Sequence, residues 1–246
     1  EREVCRRFDH VVWVTEEDQA AVDVDDVPSS VIPICVDPEA KWPVGRRVDA
    51  HRVMFLGGLH WPPNAEGIVW FAREVWPSVR TRAPGAVLTV IGKDPPAELC
   101  TAKAKNAGIE VTGYVTDPKP YVQETGAFIV PLHAGGGMRV KILDAWAWEL
   151  PVVSTRIGAE GIDARDGENA FLADTAETFG DAVVQVLQDV NLRRRLAGAG
   201  RRMIETGYNW RRVYWAWNAV YGSLWTDQDY YAERNGATAQ ATVSGM

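Results

Sequence analysis

The stretch Pro131–Thr155, PLHAGGGMRVKILDAWAWELPVVST, decides the fold of this chain because it places three glycines between an apolar strand and a helix. Gly135, Gly136 and Gly137 carry no Cβ, so the backbone can turn tightly and present N–H groups at the positive end of the helix. Junctions of this kind bind anions in α/β proteins. The motif predicts a phosphate pocket, and a purely structural tight turn is the alternative.

Three charged side chains follow the glycines. Arg139 and Lys141 would add positive charge beside a bound phosphate. Asp144 lies among apolar helix residues, where an unpaired carboxylate would cost free energy. Asp144 therefore needs a partner. One candidate is a ribose diol, because a carboxylate accepts hydrogen bonds from two vicinal hydroxyls, and the other is Lys141 or Trp148 on a neighbouring turn.

Composition limits the classes of function. The chain has 246 residues, of which 46% are hydrophobic, so it can bury a sizeable core as one large domain or as one and a half. Its formal net charge of −7 argues against sequence-independent binding of nucleic acid but allows a local basic pocket. A run of arginines predicts a solvated helix face, and the alternative is a helix face that binds an anionic membrane surface. The run comprises Arg193, Arg194, Arg195, Arg201 and Arg202.

Cysteine usage and hydropathy indicate the compartment. Cys5, Cys35 and Cys100 are odd in number and lack CxxC spacing, so neither a disulfide framework nor a zinc site is expected. No apolar run approaches the roughly 18 residues of a membrane span, and no signal-peptide pattern opens the chain. We therefore expect a cytoplasmic protein without a transmembrane segment. The chain starts without an initiator Met and enters mid-fold sequence at once, which indicates a fragment.

The N-terminal part, residues 1–36, alternates β-branched and amphipathic segments. His10–Thr15 predicts a strand, Glu16–Val22 a helix capped by Thr15, and Val31–Val36 a second strand. We interpret this part as the remnant of a second Rossmann-like domain. Residues 37–51 hold prolines and charge without periodicity, as linkers do.

A regular alternation of strands and helices follows over residues 52–205. Six apolar strands are predicted: Arg52–Leu56, Val87–Ile91, Ile109–Thr112, Ala127–Leu132, Val152–Thr155 and Asn169–Ala173. Predicted helices are Asn64–Val79, Ala97–Asn106, a short one near Tyr121–Glu124, Met138–Leu150 and a final pair. Because the strands are continuously apolar, helices should cover both faces, so the fold class is α/β with a doubly wound, Rossmann-like parallel sheet.

The C-terminal part contains a Trp-rich helix, residues 206–226, and a tail, residues 227–246. The helix carries an apolar stripe that predicts a packing face, with sugar stacking by its tryptophans as the alternative. The tail has no apolar period, so we expect it to be mobile. The stripe comprises Val213, Trp217, Val220, Tyr221 and Leu224.

The ligand crevice of a doubly wound sheet lies outside the carboxyl ends of its strands. That rule selects four loops that all contain glycine: Gly57-Gly58-Leu59-His60, Gly92-Lys93-Asp94, Gly113-Tyr114-Val115 and His133 through Gly137. His133 either faces the ligand from its strand end or caps its loop. Glu160 either faces the crevice or lies in a solvated turn.

Five sequence blocks carry a resemblance to a known family. FLGGLHWPPNAEGIVWF, LTVIGKDPP, GIEVTGYVTD, PLHAGGGMRVKILDAWAWELPVVST and IGAEGI resemble, in order and spacing, the C-terminal, donor-binding half of GT-B fold glycosyltransferases of the large retaining family 4. The resemblance covers roughly Val31–Trp225. The residues before it are similar to the last strands of that family's N-terminal domain, and the C-terminal helix corresponds to the one that crosses back to that domain.

The resemblance implies roles for the crevice residues. Gly57 and Gly58 would line the donor site, the loop Gly113-Tyr114-Val115 would meet the nucleotide base, and His133 would face the donor. Backbone N–H groups of Gly135, Gly136, Gly137 and Met138 would bind the diphosphate, Arg139 or Lys141 would support its charge, and Asp144 would hold the ribose.

The sequence departs from the family pattern in two places. The family signature has two Glu residues separated by seven, and Gly136 and Asp144 stand at those positions here. Related subgroups with this glycine motif also lack the first Glu. The paired Arg and Lys that many members place after the first strand are not obvious in GGLHWPPNAEG, where His60 and Asn64 are weak substitutes.

The implied activity is transfer of a sugar from a nucleoside-diphosphate sugar donor to a glycan, a lipid or a small-molecule acceptor. It uses no cofactor and no obligatory metal, because backbone amides and basic side chains stabilise the diphosphate leaving group. Catalytic residues stay unassigned. Three interpretations remain: half of an enzyme that is inactive without its N-terminal domain, a stand-alone donor-binding subunit that pairs with a partner chain, and a degenerate fold that serves protein interaction.

Overall fold

A computed structural model describes residues 1–41, 43, 45 and 50–224 of the chain. The tail predicted for residues 227–246 and the inner part of the predicted linker lie outside these residues. The chain divides into two compact units. The larger unit is Ile34–Asn209, and the smaller one joins Glu1–Pro33 with the segment that begins at Trp210.

The smaller unit contains a two-stranded parallel sheet and short helices. The Thr15 hydroxyl accepts a hydrogen bond from the Asp18 N–H at 3.0 Å, which confirms the predicted helix cap. The elements are α1 (Arg2–Cys5), β1 (Val11–Trp13), α2 (Glu16–Val22) and β2 (Ser29–Val31), with β1 paired to β2.

The predicted strand Val31–Val36 is wrong. β2 ends at Val31, and Pro33 lacks the N–H that would extend the ladder. Val36 instead forms an isolated parallel bridge with Asn209 in the larger unit. The other predicted strand of this region, His10–Thr15, is shorter than expected, because only its middle residues pair.

The larger unit is built on a six-stranded parallel sheet. Its strands are β3 (Arg52–Leu56), β4 (Val87–Ile91), β5 (Ile109–Gly113), β6 (Thr125–Val130), β7 (Val152–Ser154) and β8 (Phe171–Leu172). They lie in the order β5-β4-β3-β6-β7-β8. All six predicted strands are therefore present in one parallel sheet.

Helices cover both faces of this sheet. They are α3 (Pro62–Trp70), α4 (Trp76–Arg82), α5 (Ala102–Asn106), α6 (Lys119–Gln123), α7 (Val140–Ala147), α8 (Ala176–Gln188) and α9 (Val190–Thr206). Val53 and Phe55 of β3 belong to the core that contains residues of α3, α4 and α8, whereas Met54 belongs to the core of α7 and α9. Alternate strand residues thus enter opposite cores, which confirms the doubly wound arrangement.

The helix predicted for Asn64–Val79 is longer and has an irregular middle. α3 begins at Pro62, as expected for a residue whose missing N–H is unpaired in a first turn anyway. Phe71–Val75 form a π-helical turn before α4. Pro77 follows this turn, and the wider spacing accommodates a ring that would otherwise clash with the preceding turn of a regular helix.

The arginine run on α9 differs from the predicted solvated face. Arg193 is buried and donates a hydrogen bond to the Ala50 carbonyl at 2.5 Å. Arg201 donates to the carbonyls of Pro38 at 3.0 Å and Lys41 at 2.9 Å. The other three arginines of the run are exposed. Two arginines therefore bind the two described ends of the linker to α9.

The Trp-rich stripe lies on α10 (Trp210–Leu224) in the smaller unit. Val213 and Val220 are buried and Trp217 is half-buried, so the packing face is confirmed at these positions. Tyr221 and Leu224 are exposed, so the stripe is shorter than predicted. Among the described residues, no helix has both the length and the apolar character that crossing a bilayer requires.

Candidate functional site

The strand order of the larger unit reverses between β3 and β6. At such a switch point, the loops after two neighbouring strands leave in opposite directions and open a crevice at their carboxyl ends. Residues 57–61 connect β3 to α3, and residues 131–139 connect β6 to α7. Two of the four glycine loops selected from the sequence are thus the two walls of this crevice.

The glycine loop precedes α7 as a separate loop. Gly135 and Gly137 adopt φ angles of 114° and 77°, which residues with a side chain avoid. α7 begins at Val140, two residues later than the predicted start at Met138, and Arg139 is its N-cap residue. The Met138 side chain is buried in the core under the loop. The three glycines therefore lie in a loop before the helix, as predicted, and Met138 and Arg139 separate them from its first residue.

Arg139 is buried beside the glycine loop, with 6% of its surface exposed. Its Nη1 donates to the carbonyls of Gly136 at 2.5 Å and Gly137 at 3.1 Å. The guanidinium carbon lies 5.8 Å from the centroid of the Trp61 ring. A Cβ on Gly135 would lie 2.9 Å from Nη2, so this side of the guanidinium faces the loop.

Two nitrogens of this guanidinium have no hydrogen-bond partner among the described residues. Nε and Nη2 of Arg139 form no hydrogen bond within the described part of the chain. A Glu160 carboxylate oxygen lies 4.0 Å from Nη2, which is beyond hydrogen-bond distance. Burial lowers the pKa of Arg139, and the charge of Glu160 opposes that shift. A buried cation with free donors is costly, so this position favours an anionic ligand.

Lys141 extends from α7 to the opposite wall of the crevice. Its Nζ donates to Oδ1 of Asn64 at 2.5 Å and lies 4.7 Å from the centroid of the Phe55 ring. A Cβ on Gly57 would lie 2.8 Å from this nitrogen, so the glycine makes room for the ammonium. Burial, and to a smaller extent the charge of Arg139, lower the pKa of Lys141 to about 7.

Asp144 has a partner that the sequence did not indicate. Its Oδ1 accepts a hydrogen bond from Nζ of Lys41, the last residue described before the gaps in the linker. The same ammonium lies 5.4 Å from the centroid of the Trp148 ring. Of the two candidate protein partners, Lys141 is engaged elsewhere, and Trp148 contributes its ring to the lysine rather than a donor to the carboxylate.

The remaining predicted residues surround the two walls. His133 is exposed after β6, and its ring packs edge-on against Trp70 with centroids 4.3 Å apart. Gly113 has a φ of 71° at the end of β5, which turns the chain so that Tyr114 is 70% exposed. Val115 packs against the core. The structure leaves the ligand contacts of these residues as predictions.

Sequence reasoning missed two supporting residues of the crevice. Asn64 was considered only as a weak replacement for a cation, and Trp61 was not considered. The dipeptide Pro62-Pro63 was the available signal, because prolines in a first turn place the helix start there and point the preceding loop at the switch point. Lys41 had no such signal, since its contact with Asp144 spans 103 residues.

Comparison with known proteins identifies the fold of the larger unit and the family of the chain. The larger unit has the Rossmann-like fold of a GT-B domain, as its likeness to solved structures shows. The chain belongs to the group 1 glycosyl transferases, because the profile of that family matches residues 50–189, more than half of the chain.

Two curated relatives are bacterial proteins. An uncharacterized 44.6 kDa protein in the cps region of Klebsiella pneumoniae is 27% identical over 179 residues, which cover 68% of this chain and 46% of the relative. The lipopolysaccharide core biosynthesis glycosyltransferase LpsE of Rhizobium meliloti is 31% identical over 129 residues, which cover 50% of this chain and 38% of LpsE. The chain thus spans less than half the length of either relative.

A solved structure with the same fold is that of a Staphylococcus aureus TarM variant in complex with fondaparinux, alpha-GlcNAc-glycerol and UDP. It superposes with a TM-score of 0.75 at 17% identity, over 88% of this chain and 44% of TarM. At this identity the likeness shows the fold alone.

Proposed function

We propose that this chain binds the nucleoside-diphosphate sugar donor of a retaining glycosyltransferase. The diphosphate lies at the glycine loop of residues 135–137, beside Arg139 and Lys141. One observation carries the proposal: the Nε and Nη2 of the buried Arg139 have no hydrogen-bond partner among the described residues. A phosphate accepts hydrogen bonds from two guanidinium nitrogens at once and so suits these donors.

Charge at the crevice supports a diphosphate rather than a neutral ligand. Arg139 and Lys141 contribute two cationic groups from one short segment, and the carboxylate near them, Glu160, lies at 4.0 Å from Arg139. Glycine N–H groups near the start of α7 add partial positive charge. Fixed donors and cations of this kind stabilise a leaving diphosphate without a metal, so metal independence is part of the proposal.

The nucleoside extends from the diphosphate along the edge of the sheet. Asp144 accepts the ribose hydroxyls, and the loop of Gly113, Tyr114 and Val115 contacts the base. The exposed Tyr114 ring supports this placement, because an accessible aromatic face can stack on a nucleobase. His133, in the loop after β6, lies on the side of the transferred sugar.

The complete protein, in this proposal, transfers the sugar to a glycan acceptor. The name of LpsE, a lipopolysaccharide core biosynthesis glycosyltransferase, supports a glycan. The chain spans less than half of its relatives' length, so the acceptor is bound by a second domain or by a partner chain. The chain alone binds donor without transferring sugar.

Thermal shift of the purified chain with UDP, GDP, ADP and dTDP at millimolar concentration tests donor binding. UDP is the first choice, because the TarM complex contains it. One nucleotide should raise the melting temperature, since a ligand at 100 times its Kd stabilises the folded state by about 2.7 kcal/mol. A folded sample that responds to none of the four contradicts the proposal.

Arg139→Met supplies the site-specific variant, and Arg193→Met is its control. Both arginines are buried, but Arg193 donates to the Ala50 carbonyl, far from the glycine loop in sequence. Arg139→Met should abolish the nucleotide-induced shift, measured against the melting temperature of the same variant without ligand, because that temperature also reports the lost hydrogen bonds to Gly136 and Gly137. Arg193→Met should lower the melting temperature and keep the shift. If wild type and Arg139→Met show equal nucleotide-induced shifts, the placement of the diphosphate beside Arg139 is wrong.

A further inference from the structure

Asn64 is a buried polar residue that contacts the loop after β3 and a side chain of α7. It lies in the first turn of α3, with 6% of its surface exposed. Its Nδ2 donates to the Gly58 carbonyl at 2.8 Å, and its Oδ1 accepts from Nζ of Lys141 at 2.5 Å. One amide therefore joins the loop after β3 to a cation of α7, across the switch point.

Chemistry determines the orientation of this amide. The Gly58 carbonyl only accepts, so the amide must turn its NH2 group toward it. The Lys141 ammonium only donates, so it must meet the amide oxygen. A flipped Asn64 would lose both hydrogen bonds, and the arrangement is thus unambiguous.

Besides the Asn64 oxygen, the Phe55 ring attracts the ammonium through a cation–π contact. The Phe55 ring and the backbone of Gly57 lie against Nζ, and Arg139 repels it. Within the described part of the chain, no carboxylate forms an ion pair with Lys141. Glu160 faces Arg139 instead.

We infer that Asn64 is a positioning residue, which holds the Lys141 ammonium against the loop after β3 so that the cation lies in the diphosphate pocket. The inference rests on the proposed function for the identity of the anion. Without Asn64, the flexible lysine side chain would leave its partly buried place for water, because a desolvated ammonium without an acceptor is unfavourable.

The choice of an amide has a consequence for charge. A neutral oxygen orients the ammonium without neutralising it, so the charge of the protonated lysine remains available to a phosphate. A carboxylate at residue 64 would hold the ammonium equally well but would cancel that charge. Asn64 thereby supplies geometry, and Lys141 supplies charge.

Titration of Lys141 in the ligand-free chain tests the contact directly. NMR of the full chain with labelled lysine side chains, assigned with Lys141→Met, should show one lysine with a pKa near 7 in the wild type. In Asn64→Leu the released side chain should titrate at least one unit higher. A pKa that stays unchanged or falls further means that the ammonium keeps its place without Asn64, and the inference is then wrong.

Asn169 provides the matched control for the titration. It is also buried, at 3% exposure, and its amide joins the Asp163 carbonyl and the Arg165 N–H in the same unit. Asn169→Leu should destabilise the protein and leave the Lys141 titration unchanged. If Asn169→Leu shifts Lys141 as much as Asn64→Leu does, the shift reports general loosening, and the positioning role is rejected.

A double-mutant cycle on the binding of UDP-glucose tests whether Asn64 affects ligand binding through Lys141. Asn64→Leu should weaken binding about tenfold, as Lys141→Met does, and the double variant should be no weaker than Lys141→Met alone. Gly57→Ala should behave like Asn64→Leu, because its Cβ would displace Nζ. Additive losses overturn the inference. If wild type binds no UDP-glucose, the proposed function fails for this donor, and the titration still decides the role of Asn64.

Discussion

Lys41 and Asp144 form an ion pair that joins the segment before the six-stranded sheet to α7. Arg201 binds the carbonyl of the same Lys41, so the lysine is held at its backbone as well as at its ammonium. The carboxylate proposed for the ribose is therefore already paired in the absence of a nucleotide. A bound ribose must displace Lys41 or share Asp144 with it.

Asp144→Asn should weaken the binding of UDP and leave that of its 2′,3′-dideoxy analogue nearly unchanged, because only the first ligand offers a ribose diol. Lys41→Ala should strengthen UDP binding slightly, by up to about 1 kcal/mol, the usual limit for a partly exposed ion pair. Calorimetry with both ligands on both variants checks this. Equal losses for the two ligands in Asp144→Asn would assign the carboxylate a structural role.

Gly135→Ala should lower the free energy of unfolding by about 1–2 kcal/mol, because its φ of 114° is unfavourable for a residue with a side chain. The new Cβ would also meet Arg139 at 2.9 Å and Trp61 at 3.0 Å, so nucleotide binding should fall too. Gly136→Ala is the control, since open space surrounds its Cβ position. Urea denaturation should find Gly136→Ala as stable as wild type, and a loss like that of Gly135→Ala would contradict the loop geometry.

The lowered pKa of Lys141 predicts opposite pH dependences for stability and binding. Its folded value of about 7 lies below the unfolded value of 10.5, so the unfolded chain binds the proton more tightly. The destabilisation by Lys141 is therefore complete below pH 7 and disappears as the pH rises toward 10.5. Affinity for an anion should fall over the same window, because the cationic form is lost.

Calorimetry with UDP-glucose at pH 6.5 and pH 8 measures the affinity, since neither its pyrophosphate diester nor its uracil ring titrates between these values. Urea denaturation over the same range measures stability, and the difference between wild type and Lys141→Met removes the contributions of other groups. The stability advantage of Lys141→Met should shrink as the pH rises, and its affinity should be flat. A wild-type affinity that is independent of pH would refute the assignment of charge to Lys141.

Arg201→Ala should destabilise the larger unit by roughly 1–3 kcal/mol, because it removes hydrogen bonds from a cation to the carbonyls of Pro38, Lys41 and Ala147. Hydrogen exchange should become faster in residues 37–41. Arg202→Ala changes an exposed neighbour on the same helix and should do neither. Unchanged exchange in Arg201→Ala would show that other contacts hold this segment.

The sheet was predictable because its strands are short apolar runs bounded by charge or glycine. β3 and β4 begin and end at the predicted residues. The second N-terminal strand was misplaced, because VIPICV looks apolar throughout although Pro33 cannot pair. The strand signal is local, and one residue without an N–H is enough to end it.

Only the part of the candidate site that contains the glycine motif could be predicted from the sequence. Gly135, Arg139 and Lys141 are close in sequence, so their chemistry is visible there. The partners of these residues depend on tertiary contacts: Asn64 is 77 residues from Lys141, and Lys41 is 103 residues from Asp144. Periodicity also could not show that Arg193 turns inward, because arginine in a helix reads as a surface residue.

The two-sided construction of the crevice determines which residues must be transferred together when the site is grafted onto a related protein. Residues 133–144 contain the charged groups, but the ring under Arg139 and the amide on Lys141 belong to Trp61 and Asn64. If only the glycine motif were transferred to another protein, Arg139 and Lys141 would lack the contacts that Trp61 and Asn64 provide here. Residues 57–64 and 133–144 therefore form one transferable module, although the chain separates them by three strands and several helices.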